Sequence, residues 1–284
     1  MVEFRRLRLL PTVWAVMLGL IVTTAGSLPW SALVVLNVKF GVLFPWASVV
    51  MALYLVVYLK YLNGWGPPLS TAAIRASRLR ARSLPGAVWG WALLAGGSAN
   101  IALAAVFVVI SRLGWIHHAK TPLPALPPLT IAVWLLTGAA VSGIAEECGF
   151  RGYMQGILEE RYRAPIAIVI TSVCFGAFHL THGFSPAIIF DAAWGAVYGV
   201  LILSGSILPS MVLHASLDAL EVLVLWKFSG ISMQPPVTFD SAATVTLFSG
   251  MILAVVAYES FRRLSQVRVS ERTRKVRPGE ATSI

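Results

Sequence analysis

Charge, cysteine and soluble-enzyme motifs are all scarce in this chain. Only 12% of its 284 residues are Asp, Glu, Lys or Arg, against about a quarter in a soluble domain, so a water-exposed surface of ordinary composition is excluded. There are two cysteines, Cys148 and Cys174, both in apolar context, and no disulfide framework follows from them. The sequence has no G-x-x-x-x-G-K-[ST] loop, which argues against an ATP-driven pump. It has no H-E-x-x-H, so two histidines and a glutamate on one helix cannot form a zincin site. G-x-S-G and G-x-G-D are missing as well, which removes the rhomboid-like serine and presenilin-like aspartyl readings.

What the sequence has in abundance is hydrocarbon. Hydrophobic residues make up 57%, in recurring runs of about 20, the length that crosses a bilayer as a helix. The pattern predicts an all-α, polytopic membrane helix bundle of about eight transmembrane helices, near 11–35, 40–62, 87–110, 128–158, 164–182, 186–204, 208–228 and 242–261. The first run follows Arg5, Arg6 and Arg8 but carries no charge until Lys39, too long for a signal-peptide core, and reads as a retained helix.

The net charge of +10 is a matter of topology. With the N-terminus inside, 17 of the 22 Lys and Arg residues fall in inner segments, as the positive-inside rule requires. Both termini are therefore expected in the cytoplasm of a multi-pass cell-membrane protein, with the bilayer and not nucleic acid as its basic partner. One transmembrane domain is expected over 1–262, its catalytic core near 130–225, and a basic cytoplasmic tail over 263–284, with disorder expected in "SERTRKVRPGEATSI". His117 and His118 sit in a Pro-rich outer loop and read as solvated.

Ionisable residues inside spans are costly and point to function. They form three clusters: Glu146, Glu147 and Arg151; His179 and His182; His214, Asp218 and Glu221; Asp191 stands alone. Glu147 and Arg151, four apart, share a helix face and can pair. Glu146 is offset by about 100° and is left to point elsewhere. Gly149, Gly152 and Gly156 let another helix come close. If the fourth and fifth spans form an antiparallel hairpin turning near "ERYRAP", Glu146 and His179 lie at one depth, roughly 24 Å from the turn. A carboxylate and an imidazole in a half-dry pocket can hold and deprotonate a water. His214 can donate to an oxyanion, or Glu146, His179, His214 and Asp218 can ligate zinc or another divalent metal. His182 reads as an interfacial or supporting residue, Glu221 as a partner or boundary residue, and Asp191 as packing or support.

Three motifs occur in order, each in its own span: "EECGFR" as E-E-x-x-x-R, "FGAFH" as F-x-x-x-H and "HASLD" as H-x-x-x-[ND]. With them the sequence resembles the CPBP intramembrane proteases, the family of the CAAX prenyl endoproteases and bacteriocin-processing relatives. The resemblance implies an eight-helix fold and endopeptidase activity on a membrane-associated peptide, lipidated or part of a membrane protein. By motif position Glu146 would be the general base, His179 its aid in activating water, and His214 with Asp218 the oxyanion site; Glu147, Arg151 and Phe175 would support them. Asp218 departs from the asparagine of the prenyl endoproteases: ionised, it would repel an oxyanion unless paired or serving a cation, which tilts the expectation towards a metal. A scaffold or immunity factor that keeps the fold without catalysis is the alternative, and an ion-coupled transporter a third.

Overall fold

The computed structural model describes residues 2–116, 126–182, 185–228 and 239–276. Every regular element among them is helical, as an apolar backbone in lipid requires. Helix α1 spans Val2–Lys39, α2 Trp46–Leu62, α3 Ala72–Leu79 and α4 Gly86–Arg112. The fourth expected span is composite: α5, Pro128–Glu146, continues as a π-helical segment, Glu147–Met154, into α6, Gln155–Leu158. Then come α7, Ala164–Phe178, with a 3-10 turn at His179–His182; α8, Ile188–Leu201; α9, Leu208–Phe228; and α10, Ser241–Val276. Pro128 opens α5 and Pro165 lies in the first turn of α7, where a missing N–H costs nothing.

Each of the eight expected spans falls on a helix. Among the described residues, four helices are long and apolar enough to cross a membrane: Leu10–Lys39, Gly86–Arg112, Pro128–Leu158 and Ser241–Ser270. Trp46–Leu62, Ala164–Phe178 and Ile188–Ser204 are shorter apolar helices. Exposed Val169 and Val173 on α7, and Met251, Ile252 and Val255 on α10, give these helices apolar outer faces.

The structure differs from the sequence expectations in three places. First, the fourth and fifth spans meet mainly through the π-helical segment and α6. Helix α7 packs chiefly on α8, while α5 packs along α9 and α1. Small residues decide the partners: a Cβ at Gly143 would come within 2.6 Å of the Ala215 nitrogen on α9, and one at Gly176 within 2.8 Å of the Ile188 carbonyl oxygen. Second, α10 runs on to Val276 and includes the first part of the segment expected to be disordered; Leu264, fully buried, packs with Val88, Tyr198 and Leu201. The rest of that segment, like His117 and His118, lies outside the described residues. Third, the basic stretch after α2 is organised. Arg75, buried, donates to the carbonyl oxygens of Tyr61, Trp65, Gly66 and Pro68 and to the Thr71 hydroxyl. Its guanidinium lies 4.2 Å from the centre of the Tyr61 ring.

An apolar core surrounds the π-helical segment, where Phe150, Met154 and Leu158 meet Ala15, Ala167 and Phe175. Helix α1 comes closest at Gly149, where a Cβ would lie 2.0 Å from Thr23 Oγ1, so the close helix approach expected there occurs. Cys148 and Cys174 are free thiols, the first buried.

Candidate active site

Glu146 ends α5 and Glu147 begins the π-helical segment, so the two neighbours enter different helical geometries. π-helical turns are rare and occur frequently at functional sites. Glu147 and Arg151 form the expected pair: Arg151 Nη1 lies 3.2 Å from Glu147 Oε1, and neither side chain is exposed at all. Arg151 Nη2 donates to the Gly195 carbonyl of α8 at 2.9 Å. Its guanidinium also sits 4.4 Å from the Phe175 ring centre on α7. One cation thus ties the fourth span to α7 and α8.

Glu146 turns towards α9. Ser142, one turn earlier on α5, donates its hydroxyl to Glu146 Oε1 at 3.0 Å. The other oxygen, Oε2, is buried without a hydrogen-bond partner and stands 4.0 Å from His214 Nε2. An unpartnered carboxylate oxygen in a buried site is costly, and native structures keep such groups where chemistry or a bound molecule uses them.

His214 is held on every side. Its Nδ1 donates to Glu147 Oε1 at 3.0 Å, the carboxylate being an acceptor only. Its Nε2 lies 3.4 Å from Ser142 Oγ and 3.6 Å from Asp218 Oδ2. The Tyr198 ring stacks on the imidazole, centroids 4.7 Å apart and planes at 15°, and Phe175 meets it edge-on at 5.7 Å. Asp218 is therefore paired with an imidazole, one of the conditions its presence at this motif position demanded.

His179 opens the 3-10 turn after α7. Its Nδ1 is 2.9 Å from the Phe175 carbonyl oxygen; a carbonyl only accepts, so Nδ1 carries the hydrogen and the lone pair of the neutral ring is on Nε2. His179 and Asp218 are both within electrostatic range of Glu146. Glu221 is exposed and within range of Asp218, Asp191 and His179. Asp191, partly buried, lies in the first turn of α8. His182 ends its 3-10 turn, with its side chain outside the description.

The structure thus brings Glu146, Glu147, Arg151, Phe175, His214 and Asp218 into one connected cluster, with His179 at its edge. Among the described residues, no three His, Cys, Asp or Glu groups are arranged to hold a metal ion. Sequence reasoning missed Ser142 and Tyr198. Ser142 was findable, since a hydroxyl four residues before a lone carboxylate lies on its face. For Tyr198 no signal distinguished it from other aromatic residues in the spans.

Fold and cluster define a class: a multi-pass helical membrane protein with carboxylates, imidazoles and a guanidinium buried between its helices. Residues 128–220 match the Rce1-like family, described as type II CAAX prenyl endopeptidase, and all three motifs lie inside this third of the chain. The description of the matched family agrees with the family that the motifs resemble. No curated protein and no solved structure matches the chain.

Proposed function

We propose that the protein is an intramembrane endopeptidase that hydrolyses a peptide bond of a membrane-associated protein or peptide with water activated by Glu146 and His179. The observation that carries the proposal is Glu146 Oε2, buried and without a hydrogen-bond partner, 4.0 Å from His214 Nε2 and within electrostatic range of His179. In the proposed reaction Oε2 takes a proton from water as the water oxygen bonds to the scissile carbonyl carbon. His179 Nε2 accepts the water's other hydrogen and orients it. His214, charged between Glu147 and Asp218, has its Nε2–H on Ser142 Oγ at rest and shares it with the oxygen that becomes negative as that charge forms. The C–N bond then breaks, and Glu146 passes its proton to the leaving nitrogen. No acyl-enzyme forms.

Glu147 and Arg151 brace the site, Arg151 acting through the Gly195 carbonyl and the Phe175 ring. A divalent metal on Glu146, His179, His214 and Asp218 would supply a lowered water pKa; metal analysis of purified protein and a chelator test of peptidase activity decide that part. The proposal includes eight spans with both termini in the cytoplasm, one transmembrane domain, and residence in the cell membrane.

The test is cleavage of peptides by purified protein in liposomes, with products read by mass spectrometry. Glu146→Ala is expected to abolish cleavage. A Glu146→Ala protein that cleaves like the wild type refutes the mechanism, and one that is inert in vitro yet performs the cellular function supports the scaffold reading instead.

A further inference from the structure

We infer that Ser142 is a positioning residue that keeps Glu146 and His214 apart and leaves Glu146 Oε2 directed to the water; this rests on the hydrolytic reading above. The hydroxyl reaches both groups, 3.0 Å from Glu146 Oε1 and 3.4 Å from His214 Nε2. A hydroxyl has one proton to give and lone pairs to accept with. It gives the proton to the carboxylate, an acceptor, and receives Nε2–H from the charged ring. Both partners are thereby engaged without touching each other, and Oε2 stays 4.0 Å from Nε2. A carboxylate and an imidazolium with nothing between them close to about 2.7–2.9 Å.

His214 has no freedom to avoid that closure or to bring it about. Glu147 fixes its Nδ1 and Tyr198 covers its face. The mobile member is the Glu146 side chain, and Ser142 is the hydrogen-bonding group that fixes one of its oxygens. Without the hydroxyl, Glu146 swings onto His214, and the oxygen meant for water becomes half of an ion pair. A shift of about 1 Å in a catalytic group costs on the order of 100-fold in rate. Ser142 makes no proposed contact with substrate, so the loss falls on kcat and spares KM.

The chain Ser142–His214–Glu147 also has the connectivity of a nucleophilic triad. The distances favour the spacer: the hydroxyl proton goes to Glu146, the nearer acceptor, and not to the ring nitrogen.

The experiment uses full-length protein in liposomes and an internally quenched peptide selected from a random library by wild-type cleavage. Ser142→Ala is expected to lower kcat by about 100-fold with KM within about twofold, and Ser142→Thr, which restores the hydroxyl, to recover to within about threefold of wild type. A fluorophosphonate is expected to leave the wild type unlabelled. Should Ser142→Ala not fold, Ser142→Cys takes its place, with an expected loss of at least about tenfold. An Ala variant with unchanged kcat, a Thr variant no better than Ala, or label on Ser142 overturns the inference while leaving a Glu146-dependent peptidase in place. If the wild type cleaves nothing, it is the hydrolytic reading that fails, and a structure of Ser142→Ala still decides the spacing. Glu146 in hydrogen-bond contact with His214 supports the spacer; an unchanged gap refutes it.

Discussion

Removing the Arg151 guanidinium is the perturbation whose cost follows most directly from the structure. The pair it forms with Glu147 spans 3.2 Å with both side chains fully buried. Two unit charges at that distance attract by about 5 kcal/mol at an effective dielectric constant near 20. Breaking such a pair from one side strands a buried charge and costs about 3–5 kcal/mol. Arg151→Met also loses the bond to the Gly195 carbonyl and the stacking on Phe175. For a chain of this size about 1 kcal/mol moves Tm by roughly 3 °C, so a fall on the order of 10 °C is expected. The assay is intrinsic tryptophan fluorescence on heating in detergent, with Glu147→Gln, Arg151→Met and the double variant compared. The double variant should be less destabilised than the sum of the singles by about 2–3 kcal/mol, because the second substitution removes the stranded charge. Strict additivity, or a single variant that melts with the wild type, refutes the view of this pair as the brace of the site.

Four further predictions follow from packing and topology. Gly149→Ala sets a Cβ 2.0 Å from Thr23 Oγ1 and 2.5 Å from the Gly19 carbonyl oxygen; thermal unfolding should show a loss of about 1–3 kcal/mol. Gly90→Ala, with nothing within 4 Å, should instead gain about 0.5–1 kcal/mol from helix propensity. Tyr198→Phe keeps the ring on His214 and should retain peptidase activity, whereas Tyr198→Ala should lower stability by about 3–5 kcal/mol and activity with it. Protease or thiol-reagent protection of tags in sealed vesicles should place both termini on the cytoplasmic side, and one tag on the other side refutes the eight-span topology.

The helices were legible because a lipid-facing chain obeys one rule over long stretches: apolar side chains and a helical backbone. Hydropathy located every helix that carries a site residue, and the four-residue spacing of Glu147 and Arg151 foretold their contact. Pair geometry was silent where it needed knowledge of a third helix. The hairpin argument set Glu146 beside His179 by depth alone, yet Gly143 lets α9 come against α5 and so brings His214 to the carboxylate. Which small residue meets which neighbour is a property of the whole bundle and is not written in local spacing. The same holds for Tyr198, whose ring matters only because α8 and α9 set it against His214. The order after α2 was hidden differently: Arg75 counted as an inner-side charge, and its role comes from carbonyl groups of the turn that it caps.

The most direct measurement is the turnover of Glu146→Gln in liposomes, set beside its melting temperature and its binding of the same peptide. Glutamine preserves the shape of the side chain and an oxygen for Ser142, but it cannot take a proton. Loss of a general base costs about 100- to 10,000-fold, and the account expects kcat to fall by at least the lower figure while Tm and peptide affinity stay with the wild type. Hydrolysis by Glu146→Gln at the wild-type rate would contradict it.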